Sequence, residues 1–264
     1  MAALKPRMTV AASQLGGRTA VVTGAGNGLG RAIAIEFAKR GARVVLAGRH
    51  HEKLRAVSTE LREPSRVELV DTSSEASVEA FAKAIRDEEV SILVNNAGIS
   101  GPVAPLTEIN PAEWDEVFAV NVRGVYLMCR ALLPAMITAE RGDIINVASV
   151  TGKRPLARRT PYAASKTAVI GLTATLAHEV GPLGVSVNSL SPGPVSGPRM
   201  ERNFRLEAER LGTTPHDAET EFVSRAALRR MVTEEEVALA AAAMLAMPGL
   251  CGADLDLSAG MIAR

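Results

Sequence analysis

The sequence predicts an α/β fold: one doubly wound domain with a seven-stranded parallel sheet and a small helical substrate lid. Three observations carry this. Short apolar runs alternate with longer segments of helical periodicity, the pattern of strands joined by crossover helices. The runs are continuously apolar instead of alternating, as strands buried on both faces are. A cluster of glycines stands where the first run turns into the first helical segment.

The elements follow in order. RTAVVTG is the first strand, and the helix LGRAIAIEFAKRG places Ile33, Ala34 and Phe37 on one face, with Gly41 as its stop. RVVLAG is the second strand, followed by a helix from about His51 to Arg62. VELV, running up to Asp71, is the third. SEASVEAFAKAIRDE opens with a serine and an acidic first turn, a good helix start. VSILVNNAG supplies the fourth strand and its exit loop. A long helical region extends from Pro111 to about Thr138, with a break expected near Asn121. GDIINVAS is the fifth strand, Ala163–Val180 the next helix and GVSVNSLSPG the sixth strand. The polar stretch over 192–230 is expected to form a helical flap over a cleft, with the lid at about 194–226. A helix near Glu234–Met247 then precedes ADLDLSAG, the seventh strand. Residues 1–14 are expected to be a flexible extension before a single domain spanning 15–264.

Composition narrows the function. With 47% apolar and 22% charged residues, the chain is no globally disordered segment. A net charge of +1 and 3% aromatics argue against a nucleic-acid surface. Cys129 and Cys251 form no CxxC pair, so neither a disulfide framework nor a thiolate metal site is expected, and cytoplasmic residence is the default. No uninterrupted apolar run reaches the about 18 residues of a membrane span.

VVTGAGNGLGRA places Gly24, Gly26, Gly28 and Gly30 at the strand-to-helix turn. Glycine lets the backbone approach a pyrophosphate, whose charge then sits at the helix N-terminus. This marks a Rossmann-type dinucleotide site, with Gly24, Asn27, Gly28, Leu29 and Gly30 lining it; the plain alternative is a turn that only allows close helix–sheet packing. At the end of the second strand, LAGRHHEK has Arg49 where an aspartate would favour the free ribose hydroxyl of NAD. A guanidinium suits the 2′-phosphate of NADP, although Arg49 also reads as a solvated charge. Asp71, with Thr72, is placed to receive the adenine amino group or simply to cap a turn.

At the chemistry end, Ser149 closes the fifth strand, and Tyr162 and Lys166 stand four residues apart on one helical face. The Lys166 ammonium favours the Tyr162 phenolate and lies near the nicotinamide ribose. Ser149 orients the substrate oxygen. Asn121, a poor helix residue in an apolar run, holds the helix open and fixes a water behind Lys166. In reduction Tyr162 gives a proton to the carbonyl oxygen; in oxidation it takes one back.

TGAGNGLG at 23–30, NNAG at 95–98, Asn121, Ser149, YAASK at 162–166 and SPGP at 191–194 together resemble the short-chain dehydrogenase/reductase family from about Gly17 to Gly260. The resemblance implies a catalytic tetrad of Asn121, Ser149, Tyr162 and Lys166. It implies cofactor contacts from Asn95, Ala97 and Gly98, and from Pro192, Gly193 and Val195 beside the nicotinamide. Ser196 and Ser189 are the nearby hydroxyls where relatives often carry a threonine. Asn27 stands where NADP-preferring relatives often have a basic residue. A homotetramer is implied, with the small-residue run ALAAAAMLAM suited to its interface.

The expected function is NADP-preferring interconversion of a ketone and a secondary alcohol. One rival is an NAD-dependent alcohol dehydrogenase working mainly in oxidation; another is a non-enzymatic dinucleotide-binding regulator. Neither GxSxG nor HExxH occurs, and His50, His51, His178 and His216 suggest no metal site. Met200, Phe204, Leu206 and Phe222 are candidate lid lining. Lys153, Arg154, Arg158 and Arg159 form a basic rim that could meet an anionic substrate or an acyl-carrier or CoA thioester. The expected partner is otherwise a small carbonyl or alcohol, with neither nucleic acid nor membrane.

Overall fold

A computed structural model describes residues 15–61 and 64–262; the expected extension over 1–14 and the end of the second helix at Arg62 lie outside the described residues. The chain begins with β1 (Thr19–Thr23), α1 (Gly28–Lys39), β2 (Arg43–Gly48), α2 (His51–Glu60), β3 (Ser65–Leu69), α3 (Glu75–Ala84) and β4 (Val90–Asn95). It continues through α4 (Pro111–Phe118), a π-helical segment (Ala119–Arg123), α5 (Gly124–Thr138), β5 (Gly142–Val147), α6 (Thr160–Val180) and β6 (Val185–Pro192). Last come α7 (Pro198–Leu211), α8 (Pro215–Val223), α9 (Glu234–Met244) and β7 (Asp254–Leu257).

The seven strands form one sheet in the order β3-β2-β1-β4-β5-β6-β7, and every pairing is parallel. Strand order reverses between β1 and β4, so their carboxyl ends open the crevice where such sheets bind ligands. One face packs against α1 and α9 through Val22, Phe37, Ile92 and Val237. The other packs against α3, α5 and α6 through Val21, Phe81, Met128 and Val169. β1 and β4 are buried along their whole lengths, as their unbroken apolar runs predict. The edge strand β3 differs. Its Arg66 pairs with Glu68 and reaches Asp87 and Glu88, a charged finish that discourages pairing with another chain.

One expectation changes. The break near Asn121 is a π-bulge: helical structure runs on from Pro111 to Thr138, widened at the buried Asn121. That span is long and apolar enough to cross a membrane by length and composition, but Val125, Met128, Leu132 and Met136 belong to the packed core. One side of the small-residue run that begins in α9 packs inside this chain, while Leu239 and Met247 on the other stay exposed. Ala238, Ala241 and Ala242 are buried in the same cluster as Ile33 and Phe37 of α1.

Candidate active site

The end of β1 and the exit loop of β4 are built as one piece. Thr23 Oγ1 donates to the Val94 carbonyl (3.2 Å) and accepts the N–H groups of Asn96 (2.9 Å) and Ala97 (3.0 Å). Asn96 Nδ2 returns a bond to the Thr23 carbonyl at 2.9 Å. This closeness explains the glycines. Gly24 has φ +67, and a Cβ on it would stand 3.1 Å from the Ala97 Cα. A Cβ on Gly30 would lie 2.3 Å from the Gly24 carbonyl oxygen, a contact with rigid backbone. Asn27 precedes α1 in an extended conformation without a side-chain cap, and the first turn carries no acid, which leaves its amides available to an anion. The cradle thus fits a dinucleotide pyrophosphate.

Sequence reasoning missed one neighbour. Glu234, at the start of α9, has Oε1 3.7 Å from where a Cβ on Gly28 would be. Burial, then the charge of Glu235, pushes its carboxyl up. Its signal lay in a residue two hundred positions from the turn, beyond any local pattern.

Arg49 is exposed just past β2. Asp71, past β3, accepts from Ser73 N–H (3.0 Å) and Ser73 Oγ (2.7 Å). The Ser73 hydroxyl holds its pKa down, with Arg49's charge assisting, so the two residues share one rim of the crevice. The turn-capping alternative for Asp71 is therefore met. Thr72 is buried, its hydroxyl close to Gly124 at the start of α5.

The chemistry-bearing residues converge on the other side of the β4 loop. Lys166 is buried at 6% exposure, and its ammonium donates to the Val147 carbonyl at 2.7 Å, where β5 ends. The same nitrogen lies 5.9 Å from the centre of the Tyr162 ring. Gly98 fits between: a Cβ there would come within 3.1 Å of Asn121 Oδ1 and 3.6 Å of Lys166 Nζ. Asn121 Oδ1 accepts the Ile99 N–H (2.8 Å), and Nδ2 donates to the Ile99 carbonyl (2.9 Å) and Ser165 Oγ (3.1 Å). Ser165 Oγ then donates to the Tyr162 carbonyl (2.8 Å). Asn121 thus joins the widened helix, the β4 loop and the tyrosine's own turn of α6. Ser149 caps the 3₁₀ turn Val150–Gly152, its Oγ accepting the Thr151 N–H at 3.2 Å.

The other expected residues separate by role. The Asn95 side chain points into the sheet, donating to Asn146 Oδ1 (2.8 Å) and Cys129 Sγ (3.3 Å). Gly193 donates its N–H to the Leu257 carbonyl (2.8 Å), and a Cβ there would strike Ser258, so close strand approach requires glycine. Val195 bridges Val232 in parallel pairing beyond Pro192. Ser189 is buried on Asp254 (2.7 Å), which leaves Ser196, bonded to the Val232 carbonyl at 3.3 Å, as the hydroxyl nearer the cleft loop.

The basic segment does not form one rim. Lys153 turns inward to Asp254 and Asp256 of β7. Arg158, in a left-handed conformation (φ 65), holds the Val103 carbonyl, and Arg159 lies 3.5 Å from the Ser100 carbonyl. The lid also differs from expectation. Phe204 and Phe222 meet edge to face at 5.5 Å and pack with Met200, Ala208, Ala218 and Met231 as a small core of their own. Leu206 is 53% exposed. Among the described residues, no group of three or more His, Cys, Asp or Glu side chains gathers to hold a metal.

A phosphate cradle at the strand-order reversal, beside a tyrosine–lysine pair, defines a nicotinamide-dependent oxidoreductase. The sequence profile of the short chain dehydrogenase family matches residues 18–209, and the chain belongs to this short-chain dehydrogenase/reductase family. It is 34% identical over 236 residues to the levodione reductase of Leifsonia aquatica, covering 86% of this chain and 87% of that one. To the 3-oxoacyl-acyl-carrier-protein reductase of Vibrio harveyi it is 40% identical over 181 residues, covering 68% and 74%. An NAD+-bound xylitol dehydrogenase superposes with a TM-score of 0.89 at 29% identity, over 94% of this chain and 100% of that one. A point variant of the actinorhodin polyketide ketoreductase, with NADPH, gives 0.87 at 31% identity, over 92% and 97%.

Proposed function

We propose that this protein is an NADP-preferring oxidoreductase that interconverts a ketone and a secondary alcohol, as one catalytic domain with its lid at about 194–226. The observation that carries the reading is the buried Lys166 ammonium set beside the Tyr162 ring and anchored to the end of β5. A bound nicotinamide supplies or accepts hydride at the substrate carbon. Tyr162 holds the proton for the substrate oxygen and recovers it in oxidation. Lys166, as a fixed cation close by, favours the phenolate and holds the cofactor ribose. Ser149 orients the substrate oxygen. Asn121 supports the proton-relay water, because the π-bulge around it displaces main-chain carbonyls from regular helical pairing.

Gly24, Asn27, Gly28, Leu29 and Gly30 would take the pyrophosphate, and Asp71 and Thr72 the adenine side. The loop Asn95–Gly98 would floor the site, and Pro192, Gly193 and Val195 would face the nicotinamide. Arg49 favours NADP because an exposed guanidinium at the ribose end matches a 2′-phosphate. The relatives' names point to small ketones and to an acyl carried on a protein thioester as substrates worth testing. Cytoplasmic residence and a homotetramer complete the proposal.

The test is consumption of NADPH by the purified protein against a panel of cyclic diketones, ethyl 3-oxobutanoate and 3-oxoacyl thioesters. Turnover of at least one ketone is expected. Cofactor binding with no turnover across the panel, in either direction, would favour a dinucleotide-binding regulator.

A further inference from the structure

Lys153 lies four residues beyond Ser149, in the loop that leads to the catalytic helix, where a surface lysine would be unremarked. Its side chain is only 12% exposed. The ammonium donates to Asp254 Oδ2 at 2.6 Å and also contacts Asp256. Asp254 Oδ1 in turn accepts the hydroxyls of Ser189 and Ser191, each at 2.7 Å. In the parallel register Ser189 stands opposite Asp254 and Ser191 opposite Asp256, so all four side chains share one face of the sheet. Lys153 therefore reaches across β6 to β7 and ends on a carboxylate whose other oxygen is already held by two hydroxyls.

The same short loop is gripped from its other side. Thr167 Oγ1 donates to the Gly152 carbonyl at 2.7 Å, and a Cβ on Gly152 would stand 2.9 Å from the Lys166 carbonyl carbon. Ser149 itself is tied into this very turn, its hydroxyl accepting from Thr151 and its carbonyl accepting the Gly152 N–H at 2.9 Å. We propose that Lys153 is a positioning residue: clamped between Asp254 and Asp256, it fixes the 3₁₀ turn that aims the Ser149 hydroxyl at the substrate oxygen. This rests on Ser149 having the role proposed above. A buried ion pair is weak evidence of net stability, and in some proteins such pairs serve to fix geometry; a catalytic group misplaced by about 1 Å can cost up to about a hundredfold in rate.

The experiment is a double-mutant cycle between Lys153→Met and Ser149→Ala, each variant assayed for kcat on the best ketone of the panel and titrated with NADPH. Lys153→Met/Asp256→Asn is included to avoid stranding two carboxylates, and Lys153→Arg as the conservative variant. The expected result is a kcat about tenfold lower for the methionine variants, with NADPH affinity within about twofold of wild type and most activity recovered in Lys153→Arg. In the Ser149→Ala background, removing Lys153 should cost nothing further. Equal losses in both backgrounds would overturn the proposal, as would a methionine variant that loses NADPH binding along with kcat or keeps full kcat. Full activity in Ser149→Ala, or no turnover by the wild type, would instead remove the reading on which the proposal rests.

Discussion

The proposed cofactor cradle and the proposed lid are opposite kinds of structure within one chain. In the cradle, main-chain groups of β1 and the β4 loop bond to one another through Thr23 and Asn96, and glycines stand where backbone meets backbone. The helices α7 and α8 of the proposed lid are held by their own cluster around Phe204, with charged residues at half the positions of α7. A region fixed by backbone contacts tolerates almost no change in side-chain size. A region with a separate small core can open and reclose without disturbing the sheet. The first suits a cofactor of fixed shape; the second is consistent with the proposed lid role.

The largest expected effect lies beside the rigid region. Tyr162→Phe should lower kcat by about 10²–10⁴-fold, the usual contribution of a positioned acid–base group, while NADPH still binds. Retention of more than about a tenth of kcat would remove Tyr162 from that role. Next comes Gly30→Ala, whose Cβ meets the Gly24 carbonyl. It should destabilise the fold by about 1–3 kcal/mol and weaken cofactor binding, measured by thermal melts and titration; a variant indistinguishable from wild type would show the cradle to be more pliant than described. Phe204→Ala should behave in the opposite way. We expect a several-fold rise in ketone KM with Tm moved by less than about 2 °C, because the lid cluster melts locally. A large Tm drop would make the lid part of the main core.

The smallest effect concerns the two thiols. Cys129 lies under the cradle against Asn95, and burial pushes its pKa up to about 12, whereas Cys251 is exposed. Iodoacetamide at neutral pH should label Cys251 alone in the native protein and leave activity intact. Labelling of Cys129 under native conditions would mean that the sheet beneath the cofactor opens readily.

The contrast also explains what could be read in advance. Tyr162 and Lys166 are one helical turn apart, and the glycine turn is a continuous string, so local spacing carried both. The parallel sheet followed from buried strands and crossover helices, while its strand order came from the structure. Long-range partners were hidden: nothing near Lys153 announces Asp254, and nothing near Gly28 announces Glu234. The lid's apolar residues were visible on α7 and α8, yet periodicity does not say whether Phe204 faces a substrate or Phe222. Likewise the alanines of α9 signalled close packing without naming α1 as the neighbour. At the π-bulge Asn121 bonds to both main-chain groups of Ile99, a contact that propensity registers only as a weak helix position.

Cofactor choice is the most direct test, because NADP differs from NAD only in the ribose 2′-phosphate that Arg49 is proposed to meet. NADPH and NADH would be titrated side by side into wild type and Arg49→Asp, following reduced-nicotinamide fluorescence. The account predicts wild-type binding at least about tenfold tighter for NADPH, about 1.4 kcal/mol, with that preference lost or reversed in Arg49→Asp. Tighter NADH binding by the wild type, or equal weakening of both cofactors in the variant, would contradict it.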